Sequence, residues 1–325
     1  MTATSDCPPP HRLGILANPA SGRHEQILGR QPPPSDVPMA TAQTFDEVGQ
    51  ALTELNDAGV TLLAIAGGDG TVRNVLTHIL LGEVFASSPI IAIIASGSTN
   101  MTGHDTGTID IRRKGWQPLV AFAKDPATKH ARLTQRSVLA IQVAPDATPF
   151  CGMVIGAGAI DHAVTYTQSQ LHSAGLRGSA GPAIAFARFI KALALSDYRH
   201  FQTVAMRIHD DRGHTVDDNA MIFVATTLDR LLLRFRPFWG GGDGRLAWSV
   251  LAGRARGVLR RLPGAAWGRP GRGTTPANGY TSARADSLEL DFDGGFVVDG
   301  ERFVADSARG PVAVSIAGSA SFVSF

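Results

Sequence analysis

The chain has 325 residues, 44% of them hydrophobic, and a formal net charge of +2. That length supplies enough core for two domains, and so balanced a charge argues against a nucleic-acid binder, which carries a stronger basic bias. Two cysteines, Cys7 and Cys151, offer no disulfide framework, and no apolar run approaches the ~20 residues of a membrane span. The opening residues lack a secretory pattern, so a soluble, cytoplasmic protein is expected.

In chain order, residues 1–10 are polar and proline-rich and are expected to form a disordered tail. Arg12 to Ala17 predicts a short strand, Asn18-Pro19-Ala20-Ser21-Gly22 a turn, and a helix follows that prolines 32–34 end. Thr44 with Glu47 makes a capping box for an amphipathic helix over residues 45–58. Thr61–Ala66 and Ile90–Ile94 are near-continuous apolar runs, as strands of a parallel sheet covered on both faces should be. The first run enters Gly67-Gly68-Asp69-Gly70-Thr71 and then a helical pattern of Val72, Val75, Leu76 and Ile79. The second enters Ser96-Gly97-Ser98-Thr99-Asn100.

Glycines let a backbone approach phosphate closely, and the first-turn N–H groups of a helix favour an anion. An aspartate inside such a cradle repels phosphate unless it holds Mg²⁺ or takes a proton. Strand, loop and helix recur three times, which predicts an open α/β sheet with its ligand beyond the carboxyl ends of the strands. All three loops are expected to converge there.

Past residue 130, after a helix over Trp116–Lys124, the pattern becomes β-rich. Strands are predicted at Val138–Val143, Met153–Ile155, Phe201–Ile208, Met221–Thr226, Leu246–Val250, Ser287–Phe292 and Val312–Ile316, interrupted by one helix at Pro182–Leu195. The expected domains are thus a nucleotide-binding α/β domain at 11–128 and a mostly antiparallel β-sandwich at 129–325, joined near Asp125–Ala131.

No P-loop lysine motif occurs, so backbone N–H groups, hydroxyls and metal must handle phosphate. Taken together, several motifs resemble the diacylglycerol kinase-like lipid kinases, a superfamily that includes sphingoid-base and ceramide kinases and is related to NAD kinases. Asn18-Pro19-Ala20-Ser21-Gly22 is similar to that family's opening Asn-Pro-x-Ser-Gly, Gly67–Thr71 to its Gly-Gly-Asp-Gly-Thr, and Gly97-Ser98-Thr99-Asn100 to its nucleotide loop. Gly156–Asp161 is similar to its Gly-Phe-Asp segment, Pro237 with Asp243-Gly244 to its Pro…Asp-Gly turn, and Asp299-Gly300-Glu301 to its Asp-Gly-Glu. Six matches stand in the family's order.

The resemblance implies a Rossmann-like open α/β domain followed by an antiparallel β-sandwich, with the active site in the cleft between them. It implies transfer of the ATP γ-phosphate to a lipid hydroxyl, with ATP and Mg²⁺ required. Glu301 would be the general base and Asp69 would hold catalytic Mg²⁺ or position the nucleophile. Asn18, Ser21, Gly22, Thr44, Gly67, Gly68, Gly70, Thr71, Gly97, Ser98, Thr99 and Asn100 would form the ATP site. The Asp243 carboxylate with the Gly240 and Arg245 carbonyls would match a structural Mg²⁺ site, although on the residues alone Asp243-Gly244 reads as an ordinary hairpin turn.

Three positions depart from the family pattern. Asn74 stands where it has Glu, Ala95 where it has Pro, and Met101 where it often has Asp, with Asp105 nearby as a substitute. His104-Asp105 lacks partner ligands at useful spacing and reads as a loop pair. Gly156-x-Gly158 lacks the third glycine of a dinucleotide fingerprint. NAD kinase, and a lipid- or nucleotide-binding regulator with weakened catalysis, remain as alternatives.

Between Asp243 and Asp286 there is no acidic residue and there are eight arginines. Val250–Leu262 carries Arg254, Arg256, Arg260 and Arg261 among apolar residues, and Trp267 follows. Such a stretch suits either a solvated helix or docking to an anionic membrane. The expected partners are therefore a lipid substrate and an anionic membrane surface, with no nucleic acid and a homodimer left open.

Overall fold

The computed structural model describes residues 9–22, 24–97, 99–128, 130–165 and 203–325. The tail before Pro9 with Cys7, the loop residue Ser98, the expected helix Pro182–Leu195 and the first residues of the strand expected from Phe201 lie outside the described residues. The chain divides into two compact units, Met1–Arg136 with Ser319–Phe325, and Ser137–Gly318.

The first unit is built on parallel strands in the order β2-β1-β3-β4: β1 (Leu13–Ala17), β2 (Met39–Thr41), β3 (Leu62–Gly67) and β4 (Ile90–Ala95). Strands β1 and β3 are buried at every residue, which is why they read as unbroken apolar runs. Leu13, Ile15, Leu62, Ala64 and Ile94 pack one face against Trp116, Leu119 and Phe122. The latter two belong to the helix over Gln117–Lys124, of which Trp116 is the N-cap.

Short α1 (His24–Leu28) ends before the prolines, and α2 (Phe45–Asp57) buries Val48, Ala51, Leu52 and Leu55. Its expected capping box is present, Thr44 Oγ1 accepting from the Glu47 amide while the Glu47 carboxylate accepts from the Thr44 amide. Then α3 (Asp69–Leu80) buries Val72, Val75, Leu76 and Ile79 as its periodicity requires. Helices α4 (Met101–Thr106), α5 (Ile111–Lys114) and α6 (Gln117–Lys124) complete the unit. Its last piece comes from far along the chain: Phe322 pairs in parallel with Ile91, and Val323 and Phe325 join the core around Trp116 and Phe122.

The second unit is antiparallel and β-rich. Strand β9 (Thr215–Thr226) is its spine. The early half of β9 pairs with β8 (Val204–Asp210), and its later half runs between β7 (Val154–Gly158) and β10 (Leu246–Ala252). Around it stand β5 (Arg132–Gln142), β6 (Phe150–Gly152), β11 (Tyr280–Ala285), β12 (Leu288–Phe292), β13 (Gly294–Val298), β14 (Glu301–Ala305) and the start of β15 (Val312–Ser324). A helical segment occupies residues 159–165, and α7 spans Val258–Ala266. The basic stretch from Val250 is thus the end of β10, a turn, and then α7, rather than one continuous helix.

Trp248, Phe223, Phe296 and Leu290 sit in one core cluster, each at most 1% exposed. The Trp248 indole N–H donates to Asp210 Oδ2 at 3.2 Å. Truncating this side chain removes packing, although Asp210 Oδ2 keeps its bond to the His214 ring at 2.8 Å. Trp248→Ala should therefore cost about 3–5 kcal/mol, read as a lower urea midpoint. A loss under about 1 kcal/mol would mean the cluster is not a packed core.

Candidate functional site

Parallel register brings the strand ends together. Ala17 lies level with Thr41 and Ala66, and Gly67 with Ala95, so the three glycine-containing loops leave the same sheet edge side by side. Asn18 ties the first loop to the second: its Nδ2 donates to Thr71 Oγ1 at 2.9 Å, and its own Oδ1 accepts from the Ala20 amide at 2.9 Å. The Ser21 amide closes the turn onto the Asn18 carbonyl at 3.1 Å. Second and third loops touch backbone to backbone, because a Cβ on Gly97 would come 2.6 Å from Gly68 Cα. Only glycine allows that approach.

Asp69 is the first residue of α3, and it is 9% exposed. Its carboxylate turns away from α3 and caps α4, accepting from the Met101 amide at 2.9 Å and the Thr102 amide at 3.2 Å. Burial pushes the Asp69 carboxyl above its usual range, while those amides and the neighbouring His104 pull it back. Ahead of α4, Asn100 adopts a left-handed conformation at φ 48° and closes its loop, donating to the Gly97 carbonyl at 2.7 Å and accepting from the Gly97 amide at 3.1 Å.

By contrast, α3 begins at Gly68 with no side-chain cap. Nothing lies within 4 Å of a Cβ placed on Gly70 or on Gly22. The first turn of α3 therefore carries amides without a side-chain acceptor at its N-cap, and no described atom crowds a Cβ on Gly70. Thr99 is half-buried, whereas the Thr44 hydroxyl is engaged in its helix cap.

Asp105 sits in α4, not in a loop, with its side chain 1% exposed and 2.6 Å from Arg136 Nε. That ion pair commits it to the fold, so it does not stand in for the acid that Met101 displaces. Met101 contributes its backbone N–H, to Asp69, and Asn74 accepts from Arg73.

In the second unit Glu301 opens β14, exposed and paired with Val298 across a two-residue turn. The turn is Asp299 (φ 50°) and Gly300 (φ 88°), the left-handed pair that tight hairpins demand. Asp299 accepts from the Met153 amide at 3.0 Å and the Val154 amide at 3.0 Å, which pins the turn to β7. Arg302, next after Glu301, donates to Asp161 at 2.7 Å. Gly295 passes under that pair so tightly that a Cβ would lie 2.2 Å from Asp161 Oδ2. Asp161 and Asp299 stood in motifs of the sequence, but their supporting bonds went unread because the partners are some 140 residues away in the chain.

A magnesium ion, which the family resemblance implies, can be tested against these donors. A carboxylate has about four lone-pair sites, and Asp69 gives two to amides, so its chemistry fits one contact to a metal that arrives with phosphates. The Asp243 side chain is 90% exposed and 3.5 Å from the Arg212 guanidinium. The Gly240 amide donates to Ser282 and that of Arg245 to Asp286. No group of three or more His, Cys, Asp and Glu gathers around a metal position among the described residues. One exposed carboxylate beside a guanidinium fits a solvated turn better than a magnesium cage.

Because burial raises the folded-state pKa of Asp69, folding takes up a proton between the ordinary carboxyl range and that raised value. The stability this gives is full below the unfolded pKa and is lost as pH rises through the folded one. Asn at this position does not titrate. Asp69→Asn should therefore gain relative to the parent as pH rises through that window, read from urea midpoints at successive pH values; a pH-independent difference would show that the carboxyl is not perturbed.

Residues 12–119 match the family described as the diacylglycerol kinase catalytic domain. No curated protein matches the chain. Among solved structures, a diacylglycerol kinase from Bacillus anthracis str. Sterne is 15% identical, with a TM-score of 0.56 over 95% of this chain and 96% of that one. A second structure from the same organism, described there as a candidate diacylglycerol kinase, is 15% identical with a TM-score of 0.61 over 96% of this chain and 98% of that one. At that identity the likeness is one of fold. The chain is thus similar to the diacylglycerol kinases in two ways, by the catalytic-domain match over residues 12–119 and by its fold.

Proposed function

We propose that the protein is an ATP- and Mg²⁺-dependent kinase that transfers the γ-phosphate of ATP to a lipid hydroxyl. The observation that carries this reading is the uncapped amide end of α3, where Gly68 meets Gly97 and Gly70 is uncrowded, while the amides of the neighbouring α4 are occupied by Asp69. An anion there meets N–H dipoles without facing a free carboxylate. The Asn18–Thr71 bond and the Gly97–Asn100 bonds hold the cradle walls, so these residues shape the site as well as line it.

In the proposed step the lipid hydroxyl oxygen attacks the γ-phosphorus, the bond from that phosphorus to the bridging oxygen breaks, and ADP leaves. The hydroxyl proton passes to the Glu301 carboxylate. Bound Mg²⁺ supplies neutralisation of the phosphate charge. Asp69 contributes one oxygen contact towards it and, through its amide bonds, holds the third loop against the second. The exposed turn at Asp243 takes no part in this chemistry.

Labelled ATP offered with a total lipid extract should put label into a lipid. Label moved to NAD instead would favour the NAD kinase alternative, and nucleotide binding without transfer to either would favour a regulator. Glu301→Gln keeps shape but accepts no proton near neutrality, so lipid phosphorylation should fall by roughly 10²–10⁴ while ATP binding persists. Parallel loss of ATP binding would make Glu301 a binding residue and remove it from the proton transfer. Asp69→Asn should lower turnover by roughly 10²–10³ without unfolding the chain, and unchanged turnover across a Mg²⁺ titration would exclude the metal contact.

A further inference from the structure

The arginines between Asp243 and Asp286 fall into two groups that the sequence does not separate. Arg254 is committed to the fold: its Nε lies 2.7 Å from Asp218 and its other nitrogens reach the Ala277 and Pro276 carbonyls. Arg261 turns back on its own helix start, donating to the Arg256 carbonyl beside Gly257 and Gly273. Arg256, Arg260, Arg269 and Arg272 are instead exposed, and none pairs with a carboxylate among the described residues.

The helix these residues flank is apolar on both sides. Val258 and Ala265 are buried, and Leu262 packs with Val258, Ala159 and Ile222. On the other side Leu259, Pro263 and Trp267 recur at i, i+4 and i+8, a spacing that places them along one stripe. All three are exposed, Leu259 at 49% and Trp267 at 51%. Of the protein's four tryptophans, Trp267 alone is exposed. Its ring is held against Phe235, with centroids 4.8 Å apart, so the indole is presented as a fixed wedge rather than a loose side chain. The Arg236 amide bonds to the Ala266 carbonyl and the Arg269 amide to the Gly264 carbonyl, fastening the flanking segments to the helix end.

We propose that this stripe with its four unpaired arginines is a docking surface for an anionic lipid bilayer. Charge complementarity selects the occupant: guanidinium groups without acidic neighbours seek anions, and Leu259, Pro263 and Trp267 between them need a boundary where apolar atoms can leave water. The headgroup region supplies both within one layer, anionic groups above and acyl chains below. A nucleic-acid backbone would satisfy the arginines but leave the Leu259–Trp267 stripe wet, apart from what an indole gains by stacking on a base. The inference needs no turnover, so it stands or falls apart from the kinase reading.

The test sediments the full chain, without ATP, with vesicles of phosphatidylcholine alone and of phosphatidylcholine with phosphatidylglycerol. The parent should bind only the anionic vesicles, less tightly as salt shortens the Debye length. Each arginine removed near such a surface is worth roughly fivefold in binding, so replacing Arg256, Arg260, Arg269 and Arg272 with Gln should cost roughly several hundredfold where the four act independently. Anionic vesicles should also shift tryptophan emission to the blue, and Trp267→Phe should abolish that shift while leaving the melting temperature close to the parent's. Equal sedimentation of the arginine variant, or a blue shift that survives Trp267→Phe, overturns the proposal. So does binding to heparin or RNA without binding to vesicles, which would make the partner a polyanion. A concentration-dependent dimer that Trp267→Phe disperses would assign the surface to a second copy of the chain.

Discussion

The negative charge of Asp69 has to be reconciled with the anion-binding role proposed for its loop, and its hydrogen bonds to the Met101 and Thr102 amides do so. A carboxylate at the first position of α3 lies next to the amides that, in the proposed function, receive phosphate. Turned outward it would compete with the ligand. Turned onto α4 it satisfies two amides that would otherwise be orphaned at that helix's start. The same pair of bonds ties the β3–α3 junction to the β4–α4 junction, and it brings Gly68 and Gly97 to a separation that no side chain tolerates. One aspartate therefore sets the charge, the spacing and the rigidity of these loops together.

The second unit uses the same device. Asp299 places its carboxylate on the amides at the start of β7, and Asp161 receives Arg302 across β13. Glu301 lies between these two anchors, exposed at its tip and fixed at its backbone. In the proposed reading Glu301 exchanges a proton with substrate; such a group has to remain accessible, and here rigidity comes from its neighbours rather than from its own burial. Asp299 and Asp161 thus hold positions in which an amide in place of the acid would present a donor to another donor at one of its two atoms.

What could be read from the sequence follows burial. Strands β1, β3 and β4 are covered on both faces and show as apolar runs, and α2 shows its cap as well as its period. Strand β2 is three residues with only Ala40 turned inward, and β13 begins Gly-Gly, so neither carries a period. The three loops were legible because glycine marks where a backbone must bend or come close. The direction of the Asp69 carboxylate was not, since a partner 32 residues on decides it. Nor could composition divide the arginines into those serving Asp218 and nearby carbonyls and those facing water, because that division is made by the turn between β10 and α7.

Residues 319–325 belong to the first unit, with Phe322 beside Ile91, the Phe325 ring 6.0 Å from that of Phe122, and Ser324 filling the space under Gly107. Domains ordinarily complete themselves in the order in which the ribosome delivers them, the N-terminal one first. Here the order is inverted. The unit translated first waits for a strand translated after the whole of the second, and until then the edge of β4 lacks its neighbour and part of the hydrophobic cover around Trp116 is missing. An open strand edge invites pairing with another chain, so the nascent protein passes through a stage in which its earliest-made half is the more adhesive one. A premature stop near residue 318 would leave the residues of the second unit intact while taking the last strand from the first.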